Sequence, residues 1–359
     1  MLLIIFGVLL FILMLFILVD VYVAVDEWQR RIHIGRWNDR KQWQQALKRK
    51  AVLWLRHTPT VRKTAQNRLI LIDMLRGDFR NTTIQTWQDA GLLMGLDKCH
   101  VEQYLLDKKD LFVKSSIMPE DLLLAYAVKK HDMLTEIQES HILGSFQKLK
   151  DHGTILYRPW VKTIRFVDTL GMVLPFMHAC RWDQLVERQL KEYDAALYDG
   201  LYPAHAYNLD KQLPLGVFDW CRGIGWYVLA LTETSDIEGH AQRILALSKA
   251  LLKHQNPDGG FSSFVFNPKE RMDSSGTALI GLLFIEAYKF SKDDKYIHAA
   301  CQVEKALMKS TRRDGALDNC QGDTYGIGHY SRVFSLMPFA QGMALLLSKR
   351  IDVILNENA

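Results

Sequence analysis

The chain has 359 residues, 48% of them hydrophobic and 11% aromatic, so it can bury a sizeable core; its formal net charge of +5 is modest and concentrated near the N-terminus. Five scattered cysteines, at positions 99, 180, 221, 301 and 320, include no Cys-x-x-Cys. That pattern argues against a disulfide framework or a zinc ribbon and fits a reducing compartment, while length alone leaves the domain count open.

Residues 1–19 carry no charge, and the apolar run continues through Val25 with Asp20 as its only charged residue. This is long enough to cross a bilayer. A signal peptide is the competing reading, but no basic segment precedes the run and no convincing small-residue cleavage site follows it. A retained transmembrane anchor over residues 1–25 is expected. From Glu27 to Lys63 there are eleven Lys/Arg and four of the nine tryptophans. Trp43, Ala46, Leu47, Ala51 and Trp54 share one helix face, which suits a helix lying on anionic headgroups. Residues 26–63 therefore read as a basic, Trp-rich juxtamembrane segment, and membrane is favoured over nucleic acid as its partner. The charges follow the anchor and none precedes it, which places the body in the cytoplasm by the positive-inside rule, with the periplasm as the alternative.

Residues 64–359 read as helices joined by short loops. A turn of form Asp/His-Gly recurs at His152-Gly153, Asp199-Gly200, Asp258-Gly259 and Asp314-Gly315, with steps large enough for two helices each. After each turn a small or polar cluster is expected to open another helix: Val167-Asp168-Thr169, Arg222-Gly223-Ile224-Gly225, Ser274-Ser275-Gly276-Thr277 and Gly326-Ile327-Gly328. Repeated helical pairs form either an open solenoid or a closed ring. A ring of six pairs needs roughly 300 residues, which this segment nearly supplies. Periodicity leaves closure open.

Several residues within this body invite a chemical reading. Asp219-Trp220-Cys221-Arg222-Gly223-Ile224-Gly225-Trp226 packs two indoles, a guanidinium and two glycines ahead of a helix whose stripe is Trp226, Leu229 and Ala230. Arg222 offers a planar fork for a carboxylate, and the rings offer faces for a sugar. A tight loop with core tryptophans is an equally good account. Asp168 sets a carboxylate among apolar residues; beside a second carboxylate in a cleft it would hold its proton near neutrality, whereas as a helix cap it has nothing to explain. Asp121 is by itself an ordinary first-turn residue. His205, among tyrosines, reads alone as structural or surface, and Trp87, Trp160, Trp220 and Tyr207 stack on sugars or fill core. Gly223-Ile224-Gly225 has no third glycine and no preceding strand, so a dinucleotide fingerprint is excluded, and no phosphate-binding loop is present.

The run Arg222-Gly223-Ile224-Gly225-Trp226 resembles the Arg-Gly-Asn-Gly-Trp segment of unsaturated glucuronyl and rhamnogalacturonyl hydrolases, glycoside hydrolase families 88 and 105, with Ile224 in place of Asn. The resemblance extends along the body. Thr86–Leu96 looks like the family's first inner helix, with Trp87 opening toward the site. Pro119-Glu120-Asp121 resembles the segment carrying the first functional aspartate. Arg165–Phe176 resembles the stretch carrying the catalytic acid, at Asp168. His205 matches the family's substrate-contacting histidine, and Asp273-Ser274-Ser275-Gly276-Thr277-Ala278 resembles the family's Glu-Thr/Ser-Ser-Gly-Ser/Thr-Ala run, with Asp in place of Glu.

The resemblance implies an all-α fold, an (α/α)6 barrel, preceded here by one transmembrane helix. It implies removal of a terminal 4,5-unsaturated uronic acid from an oligosaccharide by hydration. Asp168 and Asp121 would be catalytic, and Trp87, His205, Trp220, Arg222 and Trp226 would bind the sugar. Neither metal nor organic cofactor is implied. The alternative is a membrane-anchored exopolysaccharide or capsule biosynthesis protein that binds polysaccharide or hydrolyses a saturated glycan. Ile224, Asp273 and the anchor favour it; retention of Asp121, Asp168, His205 and Arg222 favours the enzyme.

Overall fold

A computed structural model of the chain describes residues 1–64, 67–81, 83–108, 111–113 and 116–357, so the last two residues of the expected 64–359 domain lie outside the described residues. Fourteen α-helices follow in order among them. They are α1 (Leu2–Arg31), α2 (Arg40–Arg56), α3 (Ile70–Arg76), α4 (Thr86–Gly95), α5 (Lys98–Asp107), α6 (Pro119–Lys129) and α7 (Glu136–Phe146). The second half holds α8 (Val167–Ala179), α9 (Asp183–Tyr193), α10 (Cys221–Thr232), α11 (His240–Leu251), α12 (Ser274–Ser291), α13 (Asp294–Lys309) and α14 (Pro338–Glu357). Short antiparallel strands decorate the loops: β1 (Val61–Arg62) with β2 (Arg80–Asn81), β3 (Lys150–Asp151) with β4 (Thr154–Ile155), and the three-stranded set β5 (Ile164–Phe166), β8 (Ala206–Asn208), β9 (Leu213–Leu215). The remaining pairs are β6 (Leu197–Tyr198) with β7 (Tyr202–Pro203), and β10 (Cys320–Gln321) with β11 (Phe334–Ser335).

Helices α4, α6, α8, α10, α12 and α14 each pack on the next, and α14 returns to α4, so the ring closes as the expected (α/α)6 barrel. Composition separates the two layers. Inner helix α10 is buried along its whole length, whereas outer helices α9 and α13 bury one face only. An inner helix touches neighbours on all sides, which is why its sequence shows little amphipathic contrast. The closing seam is tight. A Cβ on Gly342 of α14 would stand 1.8 Å from the Gly91 carbonyl oxygen of α4.

The recurring turns are real. Gly153, Gly200, Gly259 and Gly315 all adopt positive φ, and His152 and Asp199 join two of them in the left-handed region. Three of the four expected helix openings also hold, at α8, α10 and α12. The fourth does not: Gly326-Ile327-Gly328 forms a turn closed by a bridge between Gly326 and His329, and α14 begins only at Pro338.

Helix α2 corrects the juxtamembrane reading. Trp43, Ala46, Leu47, Ala51 and Trp54 do share a face, but that face packs against α14 and α4 as part of the main core, not against lipid. Three of its six cations are likewise paired with protein, while Lys41, Arg49 and Arg56 are exposed. Arg40 forks onto Glu304 at 2.6 and 2.8 Å and pairs with Asp352; Lys48 and Lys50 meet Asp97 and Asp314. Thus α2 supplies the outer helix that backs α14.

Helix α1 is the one described helix long and apolar enough to cross a membrane, and its apolar span has no protein cover. Its 30 residues extend about 45 Å at 1.5 Å per residue, longer than a bilayer's hydrocarbon core. Its foot belongs to the folded body. Asp20 accepts hydrogen bonds from the Leu69 and Ile70 amides at 2.8 and 2.9 Å, and Val23 packs with Ile70 and Phe79. Arg31 forks onto Asp318 at 3.0 and 2.9 Å.

Candidate active site

Strand register builds the centre of the site. β5 pairs with β8 so that Phe166 lies opposite Ala206, and the Val167 amide donates to the His205 carbonyl at 3.0 Å. That bond holds His205 over the first turn of α8, where Asp168 projects. Its Nε2 lies 3.7 Å from Asp168 Oδ2. The imidazole is sandwiched among Phe166, Trp220 and Tyr330, with ring centroids at 6.1, 4.7 and 5.5 Å. Among the described residues, Asp168 Oδ2 and His205 Nδ1 are both buried without a hydrogen-bond partner.

Asp168 faces a cavity of about 100 Å³ lined from the N-terminal ends of α4, α8 and α10. Trp87 and Trp226 form one wall, their rings meeting edge to face at 5.5 Å, and Tyr157 and Trp220 form others. The Trp87 indole donates to Gln85 Oε1 and the Trp220 indole to Gln321 Oε1, which fixes both rings. Aromatic faces held rigid by their polar edges are a sugar platform. Several helix N-termini pointing at one cavity also favour an anionic group there.

The electrostatics of the site are set by enclosure. Burial pushes the Asp168 carboxyl up to about 6; its own backbone amide and Arg222 pull it down, and the charges of Asp323 and Glu120 push it further up. The α8 N-terminus favours the ionised form by about 0.3–1 kcal/mol, too little to offset a rise of this size. His205 moves the other way: burial, then Arg222, lowers it to about 4. At neutral pH the imidazole is uncharged, and about a tenth of Asp168 stays protonated, far more than for an ordinary carboxyl.

Arg222 lines the cavity, yet its fork is already committed. Nη1 donates to the Gln321 carbonyl and Nη2 to the Gly322 carbonyl at 2.7 Å, and the guanidinium lies over Trp220 at 5.2 Å. Arg222 therefore ties α10 to β10 and sets the field at Asp168, instead of offering a free fork to a carboxylate.

The two expected aspartates are not brought together at the cavity. Asp121 caps α6, accepting from the Met118 amide and from the Thr86 hydroxyl at 3.1 Å each, and it is not among the residues lining the cavity. Thr86 stands between cavity residues Gln85 and Trp87, so Asp121 braces that wall from behind. Its neighbour Glu120 does not line the cavity either but lies behind the Tyr157 wall: its carboxylate takes the Tyr157 hydroxyl at 3.3 Å and the Arg158 guanidinium. The carboxylate that shares the cavity with Asp168 is Asp323, on the loop after β10. Its side chain opens to solvent on one side, and the surrounding cleft raises its carboxyl while Arg222 opposes. Sequence reasoning missed Asp323, although the Gly-rich cluster at 326–328 pointed to this loop.

The remaining candidates take structural places. Trp160 is exposed away from the cavity, and Tyr207 is buried on β8. Asp273 caps α12 through the Ser275 and Gly276 amides and also receives the Gln321 amide at 2.9 Å. Ile224 is fully buried in α10. Among the described residues, no group of three or more His, Cys, Asp or Glu side chains is arranged to hold a metal ion.

Comparison with known proteins bears on this arrangement. Solved structures share the fold at low identity. One is a possible member of glycoside hydrolase family 105 from Salmonella enterica serovar Paratyphi A, 15% identical with a TM-score of 0.69, covering 90% of this chain and 96% of that one. An unsaturated glucuronyl hydrolase from a Bacillus strain, responsible for degradation of glycosaminoglycan, is 16% identical with a TM-score of 0.63 over 86% of this chain and 97% of its own. An unsaturated glucuronyl hydrolase specific for heparin is 14% identical with a TM-score of 0.65, covering 88% and 98%. Among curated protein sequences none matches at a significant level. The sequence model of Glycosyl Hydrolase Family 88 matches residues 122–352, well over half of the chain and including Asp168, His205, Arg222 and Asp323. The chain therefore belongs to glycosyl hydrolase family 88 and is a glycoside hydrolase.

Proposed function

We propose that this chain removes a terminal 4,5-unsaturated uronic acid from an acidic oligosaccharide, with Asp168 as the acid. The observation that carries the proposal is the Asp168 carboxyl itself, held up to about 6, with Oδ2 unpartnered at an aromatic-walled cavity. A group that must give a proton to carbon and then activate water needs a pKa near the working pH. The structural relatives named as unsaturated glucuronyl hydrolases support the substrate class.

In the reaction, Asp168 donates its proton to C4 of the C4=C5 bond. The resulting carboxylate then takes a proton from water as its oxygen bonds to C5. The C5 hemiketal opens to a ketone, which leaves a C1 hemiacetal that expels the rest of the chain as an alcohol. Trp87 and Trp226 flank the ring, and neutral His205 beside Asp168 keeps a second cation out of the site. The uronate carboxylate meets the helix N-termini and the Arg222 field.

The test is ultraviolet absorbance of an unsaturated uronyl disaccharide incubated with the full chain in detergent micelles. Loss of absorbance that falls about a thousandfold in Asp168→Asn is expected. Folded wild-type protein that leaves the absorbance unchanged across glucuronyl and galacturonyl substrates sinks the proposal.

A second reading, direct hydrolysis of a saturated glycan, is favoured by one observation: Asp323 provides a second carboxylate at the same cavity. Two carboxylates flanking a glycosidic bond are the ordinary glycosidase arrangement. Reducing-end release from a saturated polysaccharide, without any enoate loss, would select it.

The α1 helix is proposed as a retained anchor. Cleavage after it would remove the Asp20 cap on α3 and the Arg31–Asp318 fork from the folded body. The body is proposed to lie in the cytoplasm, by the excess of basic residues after the span. A C-terminal reporter active only in the periplasm would reverse that assignment.

A further inference from the structure

Three cavities lie in series between Asp168 and the foot of α1. The first, at Asp168, shares Asp323 and Thr324 with a second of about 160 Å³. The second shares Arg62, Ser335 and Leu336 with a third, far larger at about 590 Å³. Shared walls make this one groove, its middle lined by the loop between β10 and β11. Midway along it Gln88, 7% exposed, has Oε1 buried without a hydrogen-bond partner among the described residues. An orphaned amide oxygen on such a wall is suited to accept a hydroxyl.

The far end is cationic. Arg30, Lys50, Arg62, Arg80, Arg312 and Arg313 line it, against three acids, Asp26, Glu27 and Asp314. Several of these are paired: Arg62 meets Glu27 at 2.7 Å, Arg30 meets Asp26, and Lys50 meets Asp314. Arg80 approaches Asp26 at 3.9 Å and Arg312 is held by Asp318, yet the lining cations outnumber the lining acids, and Arg80 and Arg313 are solvent-exposed. A concave site with excess positive charge focuses its field on an anion.

Resting on the activity proposed above, we propose that the leaving chain of an acidic oligosaccharide lies along this groove, and that its own carboxylates or sulfates bind the arginine-rich cavity at the foot of α1. The substrate is then a polyanionic glycan several sugars long, held with its growing or attached end near the membrane face and its unsaturated terminus at Asp168. The middle, where Gln88 and Tyr325 line the wall, passes the intervening sugars.

Calorimetry on the full chain in detergent micelles tests this with two probes: an unsaturated uronyl disaccharide, and a hexasaccharide with the same terminus and a uronate on alternate sugars. The hexasaccharide is expected to bind more tightly, with an advantage that shrinks as salt is raised. In the double variant Arg80→Gln with Arg313→Gln, hexasaccharide affinity relative to the disaccharide is expected to drop about tenfold, two exposed charge contacts being lost. The Lys counterparts at both positions should keep most of it. A hexasaccharide that binds no better than the disaccharide, or a double Gln variant without effect on the ratio, overturns the groove. Dihexanoyl phosphatidylglycerol that binds through these arginines while the hexasaccharide ignores them also overturns it, in favour of a lipid headgroup site. Because binding is read without turnover, tight arginine-dependent hexasaccharide binding by a chain that consumes neither probe would support the groove and sink the hydration reaction alone.

Discussion

His205 Nε2 stands 3.7 Å from Asp168 Oδ2, beyond hydrogen-bond reach, and the imidazole is uncharged above a pH of about 4. The two therefore do not form an ion pair at neutral pH. Whatever sets the proton affinity of Asp168 comes from burial and from the charges of Arg222, Asp323 and Glu120.

The pH profile follows with definite signs. Activity that needs protonated Asp168 should fall as pH rises through about 6. Arg222 lowers the Asp168 pKa, so Arg222→Gln should move the midpoint up; Asp323 raises it, so Asp323→Asn should move it down. His205→Gln replaces one neutral group by another and should leave the midpoint nearly in place. The check is kcat/KM against pH for the four proteins, and opposite shifts for the Arg222 and Asp323 variants are the decisive outcome.

The same carboxyl costs the fold stability. A pKa raised on folding from 3.8 to about 6 means that the native state binds more protons between those values, so stability declines as pH rises through that window. Asp168→Asn should be more stable than wild type by about 3 kcal/mol well above pH 6, and the gain should vanish near pH 4. Urea melts of both proteins at pH 4 and pH 8 read this directly; an Asn variant less stable at pH 8 would show that Asp168 is not a strained acid.

Asp121 and Asp323 separate by variant. Asp121→Ala loses a cap and a bond to Thr86, and should cost about 1 kcal/mol of stability while kcat falls only a fewfold. Asp323→Asn should leave the melting temperature nearly unchanged and reduce kcat more strongly. Paired thermal melts and steady-state kinetics decide between them, and a large kcat loss in the folded Asp121 variant would restore it to the chemistry.

Ring closure depends on two glycines. Gly342→Ala forces a methyl into the Gly91 backbone, where α4 and α14 cannot separate without opening the barrel. We expect a loss of about 3 kcal/mol or more, seen as a lower urea midpoint, since overpacking at backbone leaves no side chain to move. Gly144→Ala is the control, with nothing within 4 Å of the added methyl, and should be neutral to stabilising.

Much of this molecule is written locally. The apolar run of α1, the buried face of α2, the positive-φ turns at Gly153, Gly200, Gly259 and Gly315, and Asp168 on the first turn of an apolar helix depend on residues within a few positions of one another. Those features were legible because helix periodicity and turn chemistry act over one or two turns. Other features rest on contacts across the ring. The α2 face finds α14 about 300 residues away, Arg222 finds the Gln321 and Gly322 carbonyls about 100 residues on, and Asp323 arrives beside Asp168 on a different loop. A basic amphipathic helix has the same pattern whether lipid or protein covers it, and a first-turn aspartate has the same pattern whether it faces a cavity or caps its own helix. Only closure of the barrel distinguished them, because it decides which apolar face is dry and which carboxylate is enclosed.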